Sequence, residues 1–258
     1  MRIGAHVDAT DPLGEAALRK ADVVQIFLSH PQSWKQPVPR DDAEQLRDSD
    51  VDVFVHAAYI INVASPNNRV RVPSRRLLLQ QARAAADIGA KGLIVHGGHV
   101  TGDVDISQGF VNWRKAFQYA ADQGGFPLPV LVENTAGGQH ACARRFENLS
   151  RLWEEIGDFS PGLCLDTCHA HAGGEDLDGV VDRVRAITGR VDLVHANDSR
   201  DEFDSGRDRH ANLGDGHIDP DKIVDIISAA RCPAVVETPG DAAAQAADIA
   251  LIRERLNR

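Results

Sequence analysis

The chain has 258 residues, a length at which an α/β barrel still folds around one core, so a single domain spanning residues 1–258 is expected. A formal net charge of −10 argues against a generally basic nucleic-acid surface, and the four cysteines form no C-x-x-C pair of the kind that announces a zinc ribbon or redox site. No apolar run approaches the roughly 20 residues needed to cross a bilayer, and the opening MRIGAHV lacks the apolar core of an export signal, so a cytoplasmic protein without membrane attachment is expected.

Short apolar runs rich in β-branched residues and bounded by turn residues recur along the chain and read as strands. They are Ile3 to Val7, Val23 to Leu28, Val51 to Val55 and Leu93 to Val95, then Val130 to Val132, Leu163 to Leu165, Leu193 to Val194 and Ala234 to Val236. Stretches of helical spacing separate most of them. Ser74 is the expected N-cap of the Ala- and Leu-rich segment that follows it, and Gly89 the glycine that ends that helix. Arg144 to Ile156 carries Phe146, Leu149, Leu152, Trp153 and Ile156 at helical spacing and is closed by Gly157. Gly124 to Pro129 is the most turn-rich stretch but too short to separate domains.

Strand followed by helix, about eight times over and with near-continuously apolar strands, is the pattern of a parallel sheet covered by helices. The expected fold class is α/β, a (β/α)8 TIM barrel. An open doubly wound sheet is the weaker choice, because no G-x-G-x-x-G turn follows the first strand.

The functional signal is positional. The third to eighth strands end at His56, His96, Glu133, Asp166, His195 and Glu237. In a barrel these ends lie on one rim, the face where such folds place their chemistry. Any one of them alone reads as a structural residue, but three carboxylates and three imidazoles gathered at one rim repel and desolvate one another unless a cation joins them. Carboxylate with imidazole suits zinc, manganese or iron, and the imidazole share favours zinc. Cys164 and Cys168 flank Asp166; as strand neighbours they need not face the carboxylate's way, and they read as core and rim packing, with buried free thiols expected throughout.

Two further stretches add ligands. In DTCH, residues 166–169, the chain turns so that His169 points back over the rim; in GRDRH, residues 206–210, Asp208 and His210 are two apart, on one side of an extended loop. Alone that loop reads as solvated. Together His169, Asp208 and His210 form a three-ligand set that leaves a position open for water or substrate.

These stretches, with GAHV at 4–7, VQIFL at 24–28, HAAYIIN at 56–62, VHGGH at 95–99, ENTAG at 133–137, GLCLDTCHAHAGG at 162–174, HANDS at 195–199, GRDRHANLGDG at 206–216 and ET at 237–238, resemble the endonuclease IV family end to end. That family comprises zinc-dependent apurinic/apyrimidinic endonucleases with a xylose-isomerase-like barrel, and the likeness is greatest to its compact actinobacterial-type members. The resemblance implies three zinc ions per chain, with manganese or iron able to take one position. His56, His96 and Glu133 would hold the first; Glu133, bridging, would hold the second with Asp166, His195 and Glu237; His169, Asp208 and His210 would hold the third. It further implies a catalytic role for Glu133 in orienting the attacking hydroxide. The substrate would be double-stranded DNA containing abasic sites, cut on the 5′ side to leave a 3′-hydroxyl and a 5′-deoxyribose phosphate. Removal of blocking groups from 3′ ends (3′-phosphatase and 3′-phosphodiesterase) is implied as well.

The sequence departs from better-known relatives at the loops that would meet DNA. Gln32 stands where an inserting arginine is often found, and Ile60 where leucine is common, beside a retained Tyr59. HGGH is one residue shorter than the more usual HPGSH, which leaves His99 without an assigned role. Arg69, Arg71, Arg75, Arg76, Arg200, Arg207 and Arg209 follow the rim strands and are expected to meet phosphates, Arg207 and Arg209 foremost. A single-subunit enzyme is expected. The rival is a xylose-isomerase-like sugar isomerase or epimerase, which would use a site like Glu133, Asp166, His195 and Glu237 but give no work to His169, Asp208 and His210; a metal-binding module without turnover is the non-enzyme alternative.

Overall fold

The computed structural model describes residues 1–138 and 140–258. Strand and helix alternate from the start: β1 (Ile3–His6), α1 (Pro12–Arg19), β2 (Val23–Phe27), α2 (Ala43–Asp48), β3 (Asp52–His56), α3 (Asn68–Asp87), β4 (Leu93–His96), α4 (Ser107–Asp122) and β5 (Val130–Glu133). There follow α5 (Phe146–Ile156), β6 (Gly162–Asp166), α6 (Thr167–Gly173), α7 (Val180–Thr188), β7 (Leu193–His195), β8 (Asp198–Ser199), β9 (His210–Ala211), α8 (Pro220–Ala230), β10 (Ala234–Val236) and α9 (Ala242–Leu256).

Strands β1 to β7 and β10 close into a parallel barrel in the order β1-β10-β7-β6-β5-β4-β3-β2. The expected TIM barrel is therefore present, and each expected strand occurs within a residue or two of its predicted limits.

The barrel has two apolar layers. Alternate strand residues such as Val24, Ile26, Val55, Val95, Val132 and Leu165 face the helices and join the large outer core. The intervening residues Val23, Phe54, Ile94, Leu131, Cys164, Leu193 and Val235 form a separate buried cluster that fills the barrel. Because side chains alternate along a strand, the residue two positions after each member shares its inward face. Those residues are Gln25, His56, His96, Glu133, Asp166, His195 and Glu237. The register sets two pairs of them side by side, His96 with Glu133 and Asp166 with His195, while His56 stands opposite Ile94 and Glu133 opposite Cys164, one step of the stagger apart.

Three local expectations are corrected. Ser74 does not cap α3: the helix starts at Asn68, where the Asn67 side chain accepts from the Arg69 amide at 2.9 Å, and Pro73 sits inside it. Pro73 is the sixth residue of the helix, past the first turn where proline fits without loss, so the segment before it does not read as helix. The Ser74 hydroxyl instead accepts from the Asn62 amide at 2.9 Å, tying α3 to the loop after β3. Gly157 ends α5 but keeps right-handed backbone and continues into a short 3-10 turn; the left-handed stop is Ser160, with φ of 55°. Cys164 faces the same way as Asp166, as residues two apart on a strand must. Gly89 does end α3 as expected, with φ of 74°, and the cysteines are free, three of them buried and Cys232 partly so.

Candidate metal centre

The six strand-end residues, His169 of α6, and Asp208 and His210 of the β8–β9 hairpin converge at the carboxyl end of the barrel. Three groups of potential ligand atoms result, each with its atoms within 4.8 Å of one another: His56, His96 and Glu133; Glu133, Asp166, His195 and Glu237; and His169, Asp208 and His210.

Glu133 is fully buried and divides its two oxygens. Oε2 lies 3.2 Å from His56 Nε2 and 3.3 Å from His96 Nε2, while Oε1 lies 2.9 Å from His195 Nδ1. His195 Nδ1 is 3.3 Å from Glu237 Oε2 and 3.8 Å from Asp166 Oδ2. Asp208 Oδ1 is 3.1 Å from both His169 Nε2 and His210 Nε2. Asp166 Oδ2 is also 3.8 Å from His210 Nε2, so one oxygen stands between the second and third groups.

These separations fit a metal. Ligand atoms about 2.0–2.1 Å from a tetrahedral zinc ion lie roughly 3.3 Å from one another. The third group fits such a centre better than it fits a hydrogen-bonded one. Among the described residues, His169 Nε2 and His210 Nε2 are buried and make no hydrogen bond, although Asp208 Oδ1 lies 3.1 Å from both.

The surrounding contacts orient the rings. His56 Nδ1 is 2.8 Å from the Ala57 carbonyl, His169 Nδ1 2.9 Å from that of Asn134, and His210 Nδ1 3.3 Å from that of Glu237. Each carbonyl holds the Nδ1 proton and leaves Nε2 free to ligate. Asp166 is fixed from three directions. Its amide donates to Asn134 Oδ1 (2.8 Å), its carbonyl accepts from Asn134 Nδ2 (3.0 Å), and its Oδ2 accepts from Asn197 Nδ2 (2.7 Å).

The electrostatics suit a cation. Burial works to raise the Glu133 carboxyl, yet His195, His96 and His169 hold it well below the usual carboxylate range. Burial likewise opposes charge on His210, but Asp208, Asp166 and Glu237 push its imidazole up to about 9. His96 goes the other way, to about 4, because burial outweighs the attraction of Glu133. Cys164 Sγ lies within 4.8 Å of ligand atoms of Glu133 and His195, but burial pushes its thiol up to about 12. A protonated thiol there serves as the floor of the site.

The residues expected to meet DNA fall on neighbouring rim loops. Tyr59 is half exposed, stacks on His96 with ring centroids 5.4 Å apart, and meets Phe27 and His56 edge-on. Its phenol is raised above its ordinary value, by burial first and then by Glu237 and Glu133, so it stays a proton donor. Ile60 is partly buried and its amide donates to the Pro31 carbonyl at 3.2 Å, which joins the loop carrying exposed Gln32 to the loop carrying Tyr59. His99 is exposed, and Asn62 holds its carbonyl at 2.9 Å and its amide at 3.2 Å.

Not every expected arginine is free. Arg209 forks onto buried Asp201, with Nε 2.7 Å from Oδ2, and Arg207 lies 3.3 Å from the same carboxylate. Arg71 is held by the Ser65 and Pro66 carbonyls. Arg75 does not serve the rim as expected: its guanidinium lies over the Tyr119 ring at 4.8 Å and packs α3 against α4. Two rim residues escaped the sequence reading, Gln25 and His6, which contact each other and Glu237. The signal for them was present, since both occupy the inward strand position that the ligands share.

The chain is similar to known proteins over its whole length. The family model described as xylose isomerase-like TIM barrel matches residues 14–255. A protein of Mycobacterium tuberculosis (strain ATCC 25177 / H37Ra) described as probable endonuclease 4 is 58% identical over 255 residues, 99% of each chain. A protein of Mycobacterium marinum with the same description is 56% identical over 257 residues, 100% of each. Among solved structures, endonuclease IV from Thermus thermophilus superposes with a TM-score of 0.85 at 28% identity, covering 100% of this chain and 99% of that one. A D-tagatose 3-epimerase-like protein superposes with a TM-score of 0.82 at 19% identity, over 100% of this chain and 97% of that one, which shows a shared fold alone.

Proposed function

The chain belongs to the endonuclease IV family, and on that premise we propose that it is a zinc-dependent hydrolase that cuts the phosphodiester 5′ to abasic sites in double-stranded DNA, leaving a 3′-hydroxyl and a 5′-deoxyribose phosphate. The same attack at phosphorus would remove blocking groups from 3′ ends, as a 3′-phosphatase and 3′-phosphodiesterase. The observation that carries the reading is the third ligand group, His169, Asp208 and His210, standing beside two groups that share Glu133.

When bound, three zinc ions would neutralise the phosphodiester's charge and make hydroxide available near neutral pH. Glu133, fully buried and ionised, would bridge the first two positions and orient the nucleophile. Asp166, locked by Asn134 and Asn197, would keep the second and third positions in register. Tyr59, stacked over His96, would stand at the mouth as donor and packing surface.

The acidic chain is no obstacle. Three divalent ions against the four carboxylates of Glu133, Asp166, Asp208 and Glu237 make the centre locally positive although the whole is not. An abasic nucleotide has lost its stacking, so extruding it costs less than extruding an intact one. Gln32 and Ile60, on loops joined through Pro31, would fill the gap it leaves, Gln32 by hydrogen bonding where an arginine would bring charge. One chain supplies every proposed ligand, so the reading requires no second subunit.

The test is a duplex oligonucleotide with one abasic site. Metal-replete protein should cut it there and nowhere else, and absence of incision would end the proposal. Metal analysis of protein purified without chelator should give three zinc ions per chain. A reproducible single ion would favour the sugar-isomerase reading, which needs only the second group.

A further inference from the structure

We propose that Gln25 is a positioning residue of the metal centre: its buried side-chain amide decides that His195 presents Nδ1, and Glu237 presents Oε2, to the second metal position. The inference rests on the metal-dependent reading above and concerns how that position is made.

Gln25 is fully buried on β2, on the inward face two residues after Val23 and opposite His6 of β1. Its polar contacts all go to side chains of the rim. Oε1 lies 2.8 Å from His195 Nε2, and Nε2 lies 2.7 Å from Glu237 Oε1 and 2.9 Å from His6 Nδ1. The amide has one sensible orientation. Turned over, it would set its oxygen against the Glu237 carboxylate, acceptor against acceptor, in a buried place where an unpaired polar group is costly.

With the amide so placed, its oxygen requires a donor at His195 Nε2. In the neutral imidazole that a bound metal requires, the one proton therefore sits on Nε2 and the lone pair on Nδ1. Nδ1 is the atom that lies 2.9 Å from Glu133 Oε1 and 3.3 Å from Glu237 Oε2. The amide N–H directed at Glu237 Oε1 occupies that oxygen and leaves Oε2 for the metal.

His195 is thereby the reverse of His56, His169 and His210, whose Nδ1 atoms are held by the carbonyls of Ala57, Asn134 and Glu237 and whose Nε2 atoms face inward. Backbone carbonyls come with the fold. The partner of His195 is a side chain, so the sequence had to supply it, and a single substitution can remove it. An outer partner of this kind typically contributes ten- to a hundredfold in metal affinity.

The zinc-loaded wild type, labelled with 15N histidine, tests the assignment by long-range proton–nitrogen correlation. His195 should show a metal-bound Nδ1 and a protonated Nε2, while His56, His169 and His210 show the opposite. Gln25→Leu, which keeps the volume and removes both polar ends, should lower the affinity for one zinc ion about tenfold to a hundredfold in chelator competition. The other two ions should stay bound. A zinc-loaded wild type with His195 bound through Nε2, or a folded Gln25→Leu protein holding all three ions with unchanged affinity, would overturn the inference alone. A wild type that takes up no zinc would overturn the metal-dependent reading and this inference with it.

Discussion

Asp208→Ala separates the third ligand group from everything else in the molecule. The carboxylate supplies Oδ1 at 3.1 Å to both His169 Nε2 and His210 Nε2, and the next oxygen, Asp166 Oδ2, is 3.8 Å from His210 and already serves the second group. Its removal leaves two imidazoles, too few for a closed site. The fold has little stake in the side chain, which is about half exposed and lies outside the barrel strands. The variant should therefore still fold, although the ion pairs with His169 and His210 that raise both imidazoles are lost. A metal that stabilises a leaving oxygen contributes several kcal/mol. If that is about 4 kcal/mol, at roughly 1.4 kcal/mol per tenfold in rate, incision should fall about a thousandfold. Single-turnover cutting of an abasic duplex, measured beside the zinc content, gives both numbers. Three ions retained with incision within about threefold of wild type would refute the third site as described here.

Zinc-stripped protein should lose stability between pH 6.5 and 9. His210 has its folded pKa raised to about 9, so its contribution is complete below the unfolded value of roughly 6.5 and is lost as pH rises through 9; His169 and His195 are raised in the same sense. Urea midpoints of the stripped protein that stay flat across that window would contradict the charge balance described. Asp198→Ala should destabilise by about 3–5 kcal/mol in urea, because this fully buried carboxylate accepts from the amides of Ser199, Gly214, Gly216 and Ile218 and each orphaned donor costs about 1–3 kcal/mol. A loss under 1 kcal/mol would mean the loop finds other partners. Arg207→Ala should make the salt dependence of DNA binding shallower by about one in the log–log slope, since Arg207 is less closely held by Asp201 than Arg209 is. An unchanged slope would remove Arg207 from the phosphate contacts.

The barrel was legible in the sequence because each strand carries its own short apolar run, and the ligands because they stand just beyond those runs. The same offset of two residues from the inner apolar layer would have picked out Gln25, and His6 is its partner in register, but each is embedded in a short motif, VQIFL or GAHV, where it reads as part of the strand. Other features are non-local and leave no periodic trace. The segment holding Asp208 and His210 reads as a loop because the hairpin that carries it has only two residues on each side, Asp198–Ser199 against His210–Ala211. Its shape depends on Asp198 gripping amides some twenty residues away. The charges of Arg207 and Arg209 could be read, but not that buried Asp201 lies between them.

The third group of this centre lies outside the barrel strands. Register brings His96 to Glu133 and Asp166 to His195, and the remaining members of the first and second groups, His56 and Glu237, also stand at or just past the ends of barrel strands. That much is compatible with the shared fold of the epimerase-like neighbour. The third group comes from α6, which carries His169, and from the β8–β9 hairpin, which carries Asp208 and His210. The hairpin is in turn fastened by Asp198 on its own first strand and by Asp248 on α9, which accepts from Asn212 at 2.8 Å and from the Leu213 amide at 3.0 Å. A reaction on a phosphodiester therefore asks more of this chain than the fold provides. The addition is a small hairpin, held in place by two buried carboxylates that ligate nothing themselves.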